Sequence, residues 1–159
     1  MTNRGMTLIE LLVVIAIIGI LLAALGMGYE GWIGRYNIEK ATKQLYSDLM
    51  KARMMALNGD RRHFVVLRGA SYSIVEDTDE DGVMDSSDRT ISGFPRELPH
   101  PVSYNNGTKV TFNARGLMSN IGTAHFISDK SPDFDCITIA MSRIVIGLYD
   151  DGHHKCMAK

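Results

Sequence analysis

Arg4-Gly5-Met6-Thr7-Leu8-Ile9-Glu10 runs without a break into an apolar segment over residues 11–27, and the reading of that junction decides the fold. A helix rising about 1.5 Å per residue needs about twenty apolar residues to cross a bilayer core, so the sequence predicts a transmembrane helix over residues 6–29. One residue breaks the apolar pattern. Glu10 would put a carboxylate where removal from water costs about 2.5 kcal/mol or more, and such an intramembrane charge marks a functional site that requires a cationic partner. A cleavable secretory signal would instead place a small-residue cleavage site beyond the apolar core. No Ala-x-Ala follows the run here, and the basic, glycine-ending leader of residues 1–5 precedes it. A lone glutamate snorkelling to the headgroups of a plain anchor is the other reading.

Gly5-Met6-Thr7-Leu8-Ile9-Glu10 closely resembles the processing site of type IV prepilins and pseudopilins. The resemblance implies that a prepilin peptidase cuts after Gly5 and methylates the new amino terminus on Met6, a position where relatives usually carry phenylalanine. It also implies a partner for Glu10, the Met6 amine of a neighbouring subunit, met as the helices pack into a filament. Two buried charges then offset each other, whereas removing one leaves the other unpaired at a cost of about 3–5 kcal/mol.

With 159 residues, 45% of them hydrophobic, the chain has room for one anchor helix and one globular domain of about 100 residues. A formal net charge of -1 gives no electrostatic case for nucleic acid as the main partner. Arg4, on the short side of the helix, orients the amino terminus toward the cytoplasm and the domain toward the periplasm, with the inner membrane between. In that oxidising compartment a disulfide between Cys136 and Cys156 is expected, worth about 3 kcal/mol for a loop of about twenty residues. Two free thiols, with Cys136 as a small core residue, are the alternative.

Gly26, Gly28, Gly31 and Gly34 interleave with Tyr29, Trp32 and Tyr36, and rings of this kind mark where a helix leaves lipid. Residues 30–58 read as the amphipathic second half of the same helix. Ile38, Ala41, Leu45, Leu49, Ala52 and Ala56 recur at three- and four-residue steps, while Glu39, Lys40, Lys43, Asp48 and Lys51 fall on other faces. Asn58-Gly59 supplies the stop. Residues 59–159 read as β-rich. Strands at 63–68 and 71–76 make a hairpin through Gly69-Ala70, and further strands are expected at 90–94, 102–104, 109–113, 124–128, 136–141 and 143–149. The fold class is α+β, a long amino-terminal helix covering one face of an antiparallel sheet.

The strand pattern of 110–116, 124–128, 136–140 and 143–146, with Phe112 four residues before Gly116, resembles the carboxy-terminal half of FimT and H-type pseudopilins. This resemblance implies a pilin fold and a structural role as a minor pilin in a type IV pilus or a pseudopilin in a type II secretion filament, with other pilins as partners. FimT-like proteins are associated with DNA uptake through basic residues near the carboxy terminus. Arg143 and Lys155 are the corresponding pair here, thinned by Asp150 and Asp151, which makes a DNA receptor an alternative function.

Residues 77–88 are an acidic insertion. Asp77, Asp79, Asp81, Asp85 and Asp88 stand at positions one, three, five, nine and twelve, with Gly82 at six and the Val83 carbonyl at seven. An EF-hand-type loop wraps its ion with this spacing, and oxygen donors suit Ca2+. Strand rather than helix precedes the segment, so the expectation is an ion-binding loop inserted in a sheet. A solvated acidic turn is the plain alternative, and a membrane-anchored calcium-binding domain that never polymerises is a third functional reading. Asp88 occupies the position where a bidentate glutamate is usual. His63, His100, His125, His153 and His154 lie in no nucleophile or zinc-binding spacing, and no Walker loop or dinucleotide fingerprint occurs, so no enzyme activity is expected. Arg61-Arg62 reads as an exposed basic pair after the helix.

Overall fold

A Thr-x-x-Glu sequence starts the long helix. Thr7 Oγ1 accepts the backbone N–H of Glu10 at 3.3 Å, and the Thr7 carbonyl accepts that of Leu11 at 3.2 Å, which gives two first-turn donors their partners. The computed structural model describes residues 7–159, apart from the side chains of 23–29, so the leader with Gly5 and Met6 lies outside the described residues. Helix α1 runs Leu8–Gly59 and ends at the expected Asn58-Gly59 stop. The chain divides into two compact units, one ending at Gly34 and one comprising Arg35–Lys159.

In the first unit every side chain from 8 to 22 is exposed, and all but Glu10 are apolar or glycine. A helix that is apolar around its whole circumference needs lipid or protein to cover it. Among the described residues no helix is long and apolar enough to cross a membrane. The predicted span of 6–29 reaches past them into the side chains of 23–29.

In the second unit, among the described residues, eleven strands follow α1: β1 (His63–Arg68), β2 (Ser71–Glu76), β3 (Arg89–Thr90), β4 (Arg96–Glu97), β5 (Val102–Tyr104), β6 (Lys109–Phe112), β7 (Met118–Ser119), β8 (Gly122–Phe126), β9 (Cys136–Ile139), β10 (Ile144–Asp150) and β11 (Lys155–Ala158). They form two antiparallel sheets, in keeping with the expected α+β class. One has the order β3-β2-β1-β6-β7 with β4 also on β2, and the other the order β11-β10-β9-β8-β5. The stripe Ile38, Leu45, Leu49, Ala52 and Ala56 is fully buried against Val65, Ile74, Val110 and Phe112 of the first sheet and Ala124, Ile137 and Ile139 of the second. The helix thus closes a core to which both sheets contribute. Alternation does the rest on β1: Val65 and Leu67 face this core, while Phe64 and Val66 form a second apolar cluster with Val75, over which Met84 of the acidic insertion packs.

Two expectations need correction. Asp48 is not on a polar face but 3% exposed, between α1 and β2. The strand expected at 90–94 is only Arg89–Thr90, because the chain turns at Gly93, with φ of 88°, to bring β4 back onto β2. Beyond the last expected strand, residues 151–154 turn the chain into β11, with His153 Nδ1 2.7 Å from Asp150 Oδ2 and both His153 and His154 exposed.

Strand β11 is fixed by a disulfide between Cys156 and Cys136 of β9, passing across β10. Gly147 lies beneath the crossing. A Cβ there would stand 2.2 Å from the Met157 carbonyl oxygen and 2.9 Å from Cys156 Sγ, so any larger residue would push β11 away.

Candidate functional site

The acidic insertion is the loop of the β2–β3 hairpin, closed by the register pairs Val75↔Thr90 and Glu76↔Arg89. The Arg89 guanidinium also hydrogen-bonds the Glu76 side chain and holds its carboxyl below the usual carboxylate range. Gly82, with φ of 81°, takes the backbone conformation that the sharp turn at position six requires. Asx-type bonds shape the remainder, Asp81 Oδ1 accepting the Val83 N–H at 2.6 Å and Asp85 Oδ1 that of Ser87 at 2.8 Å, while Asp88 Oδ1 closes the loop by accepting the Thr78 N–H at 3.0 Å.

Three of the five predicted carboxylates converge. Asp77, Asp79 and Asp81 offer oxygens that all lie within 4.8 Å of one another. Asp85 and Asp88 are spent on the backbone of the loop, Asp88 Oδ2 accepting the Asp85 N–H at 3.1 Å. The three differ in setting. Asp77 is 1% exposed, and burial raises its pKa; its Oδ2 accepts the Gly82 N–H at 3.1 Å while its buried Oδ1 has no hydrogen-bond partner. Asp79 and Asp81 are exposed, and the Ser87 hydroxyl, donating to Asp79 at 2.7 Å, lowers the Asp79 pKa. One buried carboxylate with a bare oxygen, facing two solvated ones, suits a hard cation.

Arg61 and Arg62 are not a free surface pair. Arg62 Nη1 lies 3.5 Å from Asp77 Oδ2, and Arg61 reaches Glu80 at 3.5 Å and Glu76 at 3.7 Å. Hairpin register puts them there: His63 pairs with Glu76, so the next step outward sets Arg62 beside Asp77, whose N–H donates to the Arg62 carbonyl at 3.0 Å. A 360 Å³ cleft alongside is lined by Asp60, Arg61, Arg62, Asp77, Glu80 and Arg115, among others.

The two residues considered for DNA are not brought together. Arg143 lies just before the seven-residue β10, and Lys155 pairs with Asp150 at its other end, about 20 Å away. Both are exposed, and Asp150 stands beside Lys155. At the other end of the chain, Glu10 is exposed in the first turns of α1.

Residues 1–26 match the prokaryotic N-terminal methylation motif. Residues 41–143, well over half of the chain, match the type II transport protein GspH, a span from the buried half of α1 to the turn before β10. Neither a curated protein nor a solved structure gave a match. With its prepilin methylation motif and its long helix packed on antiparallel sheets, the chain belongs to the GspH family of type II secretion pseudopilins, which are structural proteins and not enzymes.

Proposed function

We propose that this pseudopilin is cut between Gly5 and Met6 by the prepilin peptidase and held in the inner membrane by residues 6–29. Its domain of residues 59–159 then stands in the periplasm, and it joins a type II secretion pseudopilus in which Glu10 pairs with the Met6 amine of a neighbouring subunit. The observation that carries this reading is the exposed, all-round apolar surface of residues 8–22, interrupted by Glu10 alone among charged groups. Such a surface needs lipid before assembly and neighbouring helices after it. In cells that make the whole secretion system, detergent extracts are expected to yield the protein bound to other pseudopilins. Recovery of the protein always alone from those membranes would reduce it to a plain anchor.

A second proposal concerns the loop of 77–88, which we assign to Ca2+ held by Asp77, Asp79 and Asp81. The buried Asp77 Oδ1 favours it, because a carboxylate oxygen removed from water without a partner costs about 1–3 kcal/mol or more and a cation would offset that cost. Terbium-luminescence titration is expected to show saturable binding reversed by calcium. Asp81→Ala should weaken it about tenfold or more, the effect of losing one charged ligand in three. At a calcium concentration about 100 times Kd, linkage should stabilise the domain by about 2.7 kcal/mol. A flat titration would remove the site.

A further inference from the structure

Resting on the calcium assignment, we infer that Arg62 is a built-in competitor for the ion: its guanidinium and a divalent cation contend for Asp77, and this contest sets the affinity of the loop. Asp77 is the one buried ligand of the three, and among the described residues Arg62 is the one cation that reaches it, with Nη1 3.5 Å from Oδ2. The guanidinium also lies against the turn of the loop. A Cβ on Gly82 would stand 1.9 Å from Arg62 Nη1, so glycine at position six serves both the turn and the approach of the arginine. A positive charge held this close to the carboxylate opposes a second one by Coulomb repulsion, most strongly where burial limits screening.

The arginine can yield. Its side chain is 38% exposed, so once displaced by a doubly charged ion the guanidinium is hydrated, and the adjoining cleft offers it the Asp60 carboxylate and open water. Arg61 plays a different part, because its partners are Glu76 and Glu80, neither of which belongs to the convergent triad. The loop therefore carries one arginine that competes for the site and one that ties down its flank.

Calorimetric titration of Ca2+ into the chelator-stripped full chain in detergent micelles, at low ionic strength, tests the inference with three variants. Arg62→Gln is expected to bind about tenfold tighter than the wild type and to melt lower without calcium, the melting difference vanishing at saturation. Arg62→Lys, which keeps the charge, should stay near wild-type affinity, and Arg61→Gln should change affinity by less than Arg62→Gln. Unchanged or weaker binding by Arg62→Gln, or equal tightening by Arg62→Lys, would overturn the competition while leaving the calcium site standing. Flat titrations for wild type and variants alike would instead overturn the site itself and the competition with it.

Discussion

Replacing Glu10 with leucine is expected to abolish assembly into the pseudopilus while leaving the protein in the membrane. Leucine makes the helix more apolar, so insertion is not impaired. What is lost is the partner of a neighbouring Met6 amine, which would be left charged and buried among helices. Breaking such a pair costs about 3–5 kcal/mol, and each 1.4 kcal/mol is about tenfold in an equilibrium constant. Subunit association should therefore fall by about a hundredfold or more. Quantifying the protein in sheared filaments and in membranes separates the two steps: the filament fraction should vanish while the membrane fraction persists. Wild-type amounts in the filament would show that Glu10 has no such partner.

The second large effect is expected inside the domain. Asp48 Oδ2 accepts the Tyr72 hydroxyl at 2.6 Å and the Gln44 amide at 3.1 Å, and lies 3.4 Å from Arg96 Nε. Tyr72 is 1% exposed and packs edge-on to Phe94, and its hydroxyl donates to Asp48. Burial and the Asp48 carboxylate push the phenol well above its usual pKa, so it stays a donor throughout the physiological range. Asp48→Ala orphans that hydroxyl, while the half-exposed Arg96 can turn to solvent, so the total cost should be about 3 kcal/mol. For a domain of this size that is a fall in Tm of about 10 °C. In a Tyr72→Phe background the same replacement should cost at least about 1 kcal/mol less, because the shared bond is already gone. Additive losses would mean that the two groups do not act through each other.

Asp48 also marks the boundary of what the sequence reveals. The stripe from Ile38 to Ala56 is legible because six apolar residues repeat with the helical period, and they are the residues found in the core. Asp48 lies next to Leu49 and looks like part of the wet face, since only the tyrosine and arginine brought up by β2 and β4 make its burial tolerable. The hairpin through Gly69-Ala70 is legible from its turn, whereas β4, β7 and β11 carry no signal of their own at two to four residues each. Four strands of the second sheet are legible in the sequence, and what is hidden is its edge, where β11 pairs with β10 and is tied to β9 by the disulfide. At the acidic loop, spacing named five carboxylates, of which the structure brings Asp77, Asp79 and Asp81 together. The arginines that meet it follow from counting the hairpin register outward from His63↔Glu76, a signal present in the sequence once that hairpin is accepted.

The most direct measurement is the mass of the amino-terminal peptide of the protein isolated from membranes of cells with an active prepilin peptidase. A peptide beginning at Met6 with one added methyl group is the expected result, since only then does an amine exist to meet Glu10. A peptide still beginning at Met1 would contradict the charge pairing and the filament built on it.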